Sequence, residues 1–134
     1  MGYQVAKNSC EEITMDYSQL SDFEINKRVA DIVMNGTWHV RPSRPDNTTG
    51  GWLYGSNGIQ TYDLPDYCNS PESAWPIITK NRISIEFDGD NSTEPQTTWC
   101  HTANLNRTCG TNYQKNPLRA AMITFLLMQE QANA

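Results

Sequence analysis

The chain lacks any long hydrophobic run, any strong excess of one charge, and any paired-cysteine motif. No stretch approaches the ~20 apolar residues needed to span a bilayer, so a membrane helix is excluded. The start, "MGYQVAKNSCEEITM", has no apolar middle of the kind a secretory signal carries. It also has Ala6 where a myristoylation signal has Ser or Thr. A cytosolic protein is therefore expected, with its four cysteines as reduced thiols. The sequons at Asn35, Asn47, Asn91 and Asn106 are then accidents of an Asn/Thr-rich composition. Net charge is −5, with no basic stripe to neutralise phosphates, and this argues against general nucleic-acid binding. Carboxylate runs are too short for a nucleic-acid mimic, and "DGDNSTE" reads as a solvated turn.

Chemical motifs are equally sparse. Cys100-His101 with Cys109, and Cys68 further off, is the nearest thing to a metal set. Eight residues separate Cys100 from Cys109, without the short paired spacings of structural zinc sites. In a strand Cys100 and His101 point to opposite faces, so they read as ordinary strand residues. No metal and no cofactor is expected. A Cys/His nucleophile would need Cys68, Cys100 or Cys109 beside His39 or His101, and no glycine elbow marks one. Asp63, Asp66, Glu72 and Glu86 are accounted for as caps and solvent-facing strand residues. "GGWLYGSNG" lacks both the Walker spacing and a following helix, so it reads as a hairpin.

What is present describes one domain of α+β class. The 134 residues are 37% hydrophobic and 19% charged, enough to bury a core without staples. Residues 1–15 read as a loosely ordered leader, with Met15 an alternative start, and 16–134 as the domain. In "LSDFEINKRVADIVMNG", Ser21 and Glu24 form a capping box flanked by Leu20 and Ile25 as a staple. Phe23, Ile25, Val29, Ile32 and Val33 form the apolar stripe, and Asn35-Gly36 the stop. "TWHVRP" predicts a strand. "WLYGSNGIQTYDL" predicts a hairpin turning at Asn57-Gly58. "RISIEFD" alternates as a half-buried strand on Ile83, Ile85 and Phe87, with "TTWCHTAN" as its antiparallel partner. The polar segment between them and the Thr/Asn-rich remainder up to 115 read as loops. The chain closes with "NPLRAAMITFLLMQEQ", a helix capped by Asn116 with Pro117 at its first position. It is apolar nearly all round from Leu118 to Met128 apart from Arg119 and Thr124. Such a helix lies across the sheet and against another helix, or against a second copy in a homo-oligomer.

Residues 66–85, "DYCNSPESAWPIITKNRISI", crowd a tyrosine, a cysteine, an acid, a tryptophan and two prolines ahead of a strand. Ser70-Pro71-Glu72 is helix-start chemistry. A short helix from about 70 to 80 is predicted, kinked at Pro76 or begun in 3₁₀ form, with Trp75, Ile77 and Ile78 as its buried face. Asp66, Tyr67 and Cys68 are left over by this account and are candidate site residues.

"YSQLSDFEINKRVAD", "DYCNSPESAWPIITKNRISI" and "NPLRAAMITFLLMQEQ" together resemble the three blocks of the NinX-like phage proteins. That family is encoded among the accessory genes of the nin region in lambda-like phages and prophages. The resemblance spans Asp16 to Gln131, but neither the leader nor 88–115 convincingly. It implies a phage or prophage accessory protein in the host cytosol and carries no established catalytic residues. More distantly, the order of elements is similar to a small phage α/β-sandwich module. Three functional readings follow. The first is a non-enzymatic protein binding a host or phage macromolecule, with Trp52 and Tyr54 as an exposed aromatic patch. The second is a binder of a small anionic ligand such as a nucleotide, gripped by Asn116 and Arg119. The third, the least supported, is a thiol or metal enzyme.

Overall fold

The computed structural model describes residues 15–34, 38–40, 53–56, 60–92 and 94–133, without the side chains of 38–40, 53–56 and 60–62. A 3₁₀ turn, Tyr17–Gln19, leads into helix α1, Asp22–Val33. Strands β1, Trp38–Val40, β2, Leu53–Ser56, and β3, Gln60–Asp63, form one antiparallel sheet in sequential order. Helix α2, Pro71–Lys80, follows. Strands β4, Ser84–Asp90, β5, Thr97–Ala103, and β6, Gly110–Gln114, form a second antiparallel sheet, and helix α3, Pro117–Asn133, ends the chain. The architecture is the α+β class expected from the sequence.

Local chemistry writes the helix starts. Ser21 Oγ accepts from Glu24 N at 3.1 Å and Glu24 Oε2 accepts from Ser21 N at 3.2 Å, the full reciprocal box. Ser70 caps α2 and Pro71 supplies its first residue. Asn116 Oδ1 accepts from the amides of Leu118 and Arg119, capping α3. The core is then built around α3, whose residues 120–126 are all buried. They meet Ile25, Val29 and Ala30 of α1 and Ala74, Ile77 and Ile78 of α2. Against the sheet, α3 covers one face of β5 and β6. There Thr102 Oγ1 lies 2.6 Å from Thr111 Oγ1, 2.7 Å from Thr124 Oγ1 and 3.2 Å from the carbonyl of Ala120. This chain of bonds satisfies the buried hydroxyls of an otherwise greasy interface.

Four expectations are corrected. Trp75 is 59% exposed, whereas the buried face of α2 is Ala74, Ile77 and Ile78. At 3.6 residues per turn Trp75 lies about 100° round from Ala74, off that face. Phe87 shares the parity of Ile83 and Ile85 but is 73% exposed, because the core reaches along β4 only as far as Ile85. Phe23, Ile32 and Val33 are exposed as well, because the stripe of α1 is centred on Ile25, Asn26, Val29 and Ala30. The segment read as loop up to 115 contains β6. Its sequence, "GTNYQ", has little strand propensity, and pairing with β5 overrides it. The leader up to residue 14, the stop at Asn35-Gly36 and the turn at Asn57-Gly58 lie outside the described residues. The hairpin itself is present, with Leu53 opposite Asp63 and Ser56 opposite Gln60.

Candidate functional site

Four of the candidate residues meet at one place, where the starts of α1 and α3 converge on the turn before α2. Asn116, besides capping α3, donates from Nδ2 to the Cys68 carbonyl at 2.8 Å and to Asn69 Oδ1 at 3.0 Å. Arg119, one turn on, donates from Nη1 to Asp22 Oδ1 at 2.7 Å. Its Nη2 donates to the Leu20 carbonyl at 2.6 Å and the Ser18 carbonyl at 3.2 Å. Asp66 Oδ1 accepts from Asn26 Nδ2 at 2.9 Å and from Asn69 Nδ2 at 3.1 Å. The Cys68 amide donates to Asn26 Oδ1 at 3.0 Å. Asn69 Nδ2 also reaches Asp22 Oδ2 at 3.1 Å.

The electrostatics follow from these partners. The hydrogen bond from Asn69, aided by the Arg119 guanidinium, holds the Asp22 carboxyl below the usual carboxylate range. Burial pushes the Cys68 thiol up to about 12, and the neighbouring Asp22 charge adds to the rise. A fully buried thiol with so high a pKa is not a nucleophile at neutral pH. The Arg119 fork is spent on Asp22 and two carbonyls. Chemically the cluster is a clasp that closes a fold. Tyr67 sits in the hydrophobic core, its hydroxyl pushed up by burial. Trp52 lies outside the described residues, and of Tyr54 only the backbone is described, paired with His39 and Tyr62.

Three members of the clasp, Asp22, Asn26 and Asn69, were not picked out from the sequence. Asn26 carried a signal. It sits beside Ile25 and three residues before Val29, so an α1 stripe containing both must bury an amide that then needs partners. Asp22 and Asn69 had none, being a first-turn acid and a loop amide of common type.

A second feature lies on the face of the β4–β5–β6 sheet opposite α3. Trp99 and His101 alternate with the buried Cys100 and Thr102 and so point outward. Tyr113 joins them, its ring 5.8 Å from that of Trp99 and 5.0 Å from that of His101. Its amide donates to His101 Nδ1 at 3.1 Å. Across the register Glu86 pairs with His101 and Asp88 with Trp99, both acids exposed. Glu86, His101, Arg107 and Asn112 help line an open hollow of about 380 Å³ beside them. The Trp99 indole N–H is buried without a hydrogen-bond acceptor among the described residues. A third feature, a groove of about 460 Å³, lies between the helices along Ile32, Val33, Pro76, Ile77 and Phe125.

Among the described residues no three His, Cys, Asp or Glu side chains converge as a metal site. No described helix is long and apolar enough to cross a membrane. Cys68 and Cys100 are free thiols. Cys109 is disulfide-bonded, a correction to the expectation of four reduced cysteines. Sequence spacing does not reveal which sulfurs a fold brings together.

The architecture is similar to that of a phage protein from Bacillus cereus ATCC 14579, known from a 2.0 Å crystal structure. The TM-score is 0.54 at 15% identity, over 89% of this chain and 96% of that one. The class is therefore a small α+β fold that also occurs in a phage protein. The chain itself belongs to the family described as Bacteriophage P22, NinX, whose model matches residues 16–129. That match bears out the resemblance read from the three sequence blocks. No curated protein matches the chain.

Proposed function

We propose that this NinX-family protein is a non-enzymatic phage accessory protein that acts by binding a host or phage macromolecule. The supporting observation is where its chemistry is spent. The reactive-looking side chains, Asp66, Cys68, Asn116 and Arg119, are consumed by the clasp. Large aromatic side chains meanwhile stand in solvent on ordered elements: Trp75 at 59%, Phe87 at 73% and Tyr113 at 73% exposure. Exposed aromatics on a rigid scaffold are the usual anchors of macromolecular interfaces. The small-anion reading centred on Asn116 and Arg119 gains no support, since the guanidinium already holds Asp22 and two backbone carbonyls.

Photo-crosslinking in phage-infected cells tests the proposal, with a photoreactive residue placed at position 75, 87 or 113. A reproducible adduct absent from unirradiated and tag-only controls is expected at one or more of these positions, and its presence or absence in uninfected cells tells a host partner from a phage one. Adducts at none of them would overturn it.

A further inference from the structure

The two faces of the β4–β5–β6 sheet differ in kind. The inner one is closed by α3 over Thr102, Thr111 and Thr124. The outer one carries three aromatic rings side by side, those of Trp99, Tyr113 and His101, with Glu86 and Asp88 on the neighbouring strand. Tyr113 is held there at a cost. Its φ is +55°, in the left-handed region, worth roughly 1–2 kcal/mol to a residue with a Cβ. A bulge produces this: between the pairs Cys100–Gln114 and Thr102–Thr111, one residue of β5 faces two of β6. Burial does not offset the strain, because the side chain is 73% exposed. The contacts that hold it are the outward-facing rings of Trp99 and His101, and strain of this sort is found at binding surfaces.

We propose that this outer face is a docking surface for a basic peptide segment of a partner protein. Arginine side chains seat over the Trp99 and Tyr113 rings and pair with Glu86 and Asp88. The proposal rests on the reading of the protein as a macromolecule binder and names the surface and the partner's chemistry. Charge complementarity selects the occupant. An arginine plane stacks on an indole or phenol face and is drawn by the ring quadrupole. Directly opposite positions on paired strands put a carboxylate about 4.5–5.5 Å, Cβ to Cβ, from each of Trp99 and His101, within reach of the same guanidinium. A stacked nucleic-acid strand would need cations along the backbone path. Here the acids flank the rings, and a single arginine, Arg107, lines the adjoining hollow.

The test is an NMR titration of the full chain, ¹⁵N-labelled, with a peptide of alternating arginine and glycine. A glutamate–glycine peptide and a single-stranded oligothymidylate serve as comparisons. The arginine peptide is expected to shift the amides of residues 86, 88, 99, 101 and 113 and the Trp99 indole N–H. Affinity should fall about tenfold in Tyr113→Gly, which keeps the backbone conformation, and in the pair Glu86→Lys/Asp88→Lys. The pair Glu72→Lys/Glu94→Lys, with the same change in net charge, should bind as the parent does. Equal loss in both charge-reversed pairs, shifts confined to other residues, or a response to the oligothymidylate instead would each overturn the proposal. Repeating the cell crosslinking with Tyr113→Gly/Glu86→Lys separates the two levels. Adducts at positions 75 or 87 that persist unchanged leave the binding function standing and reject this surface. No adduct in the parent protein rejects the binding function itself.

Discussion

Arg119 is a single side chain holding three partners that lie 97 to 101 residues earlier in the chain. Removing it leaves the carbonyls of Leu20 and Ser18 and the Oδ1 of Asp22 without their donor, while Asn69 still holds Asp22 Oδ2. Arg119→Met is therefore expected to lower unfolding free energy by about 2–3 kcal/mol in a urea titration, with Arg119→Lys recovering less than half because one ammonium cannot replace the fork. Asn26→Ala should cost a similar amount, about 1–3 kcal/mol, since it orphans the Cys68 amide and one bond to Asp66. Cys68 supplies a pH prediction. Its folded pKa of about 12 lies above the ordinary thiol value, so its contribution to stability is whole below pH 9 and is lost as pH rises toward 12. Tyr17, raised to about 12 by burial and the nearby Glu130, acts in the same direction from about pH 10. Thermal midpoints should thus fall steeply above pH 9, and Cys68→Ala should flatten the first part of that fall. In unreduced, purified protein an alkylating agent should spare Cys68 and Cys100 while the chain is folded and label both in denaturant, leaving Cys109 unlabelled throughout. At this scale the sequence was readable where the chemistry is local. The Asn116 cap and the Ser21–Glu24 box are three-residue statements. The bonds from Asn69 to Asp22 and from Arg119 to Leu20 are not, because nothing in a neighbouring residue announces a partner so far along the chain.

Elements were legible in proportion to the regularity of their burial. Helices α1 and α2 have caps and periodic apolar faces, α3 has a cap and a continuous apolar run, and β4 alternates at its start. Strand β6 has neither feature. It exists because β5 supplies its ladder, and it carries two irregularities the pairing demands. One is Tyr113 in the left-handed region. The other is Gly110, where an added Cβ would stand 2.3 Å from the Thr102 carbonyl oxygen. Gly110→Ala must push backbone apart and should destabilise by about 1–3 kcal/mol by thermal or urea unfolding. Tyr113→Gly relieves strain while adding chain entropy, and should leave stability within about 1 kcal/mol of the parent. Residues 110–114 show why a composition rich in Thr, Asn and Gly is ambiguous. The same residues serve a polar loop or a bulged strand, and only a partner strand decides between them.

For the whole molecule, the α+β class followed from the mixture of periodicities, and the family from three blocks of sequence. What the sequence did not disclose is how those blocks serve one another. Their polar residues converge on a single clasp, and the Asp66–Cys68 stretch is a joint of it. The joint imposes an order of events in time. Arg119 and the core residues of α3 come late in the chain, yet they cover α1 and α2 and secure the turn before α1. While the ribosome is still making β6, α1 and α2 have no α3 to bury against, and Leu20, Asp22 and Cys68 wait for donors not yet synthesised. The entropy of closing so long a loop is met only when α3 arrives to contribute its apolar face. Stalled nascent chains ending before Asn116 should accordingly be cut rapidly by protease, and chains in which α3 has cleared the exit tunnel should resist.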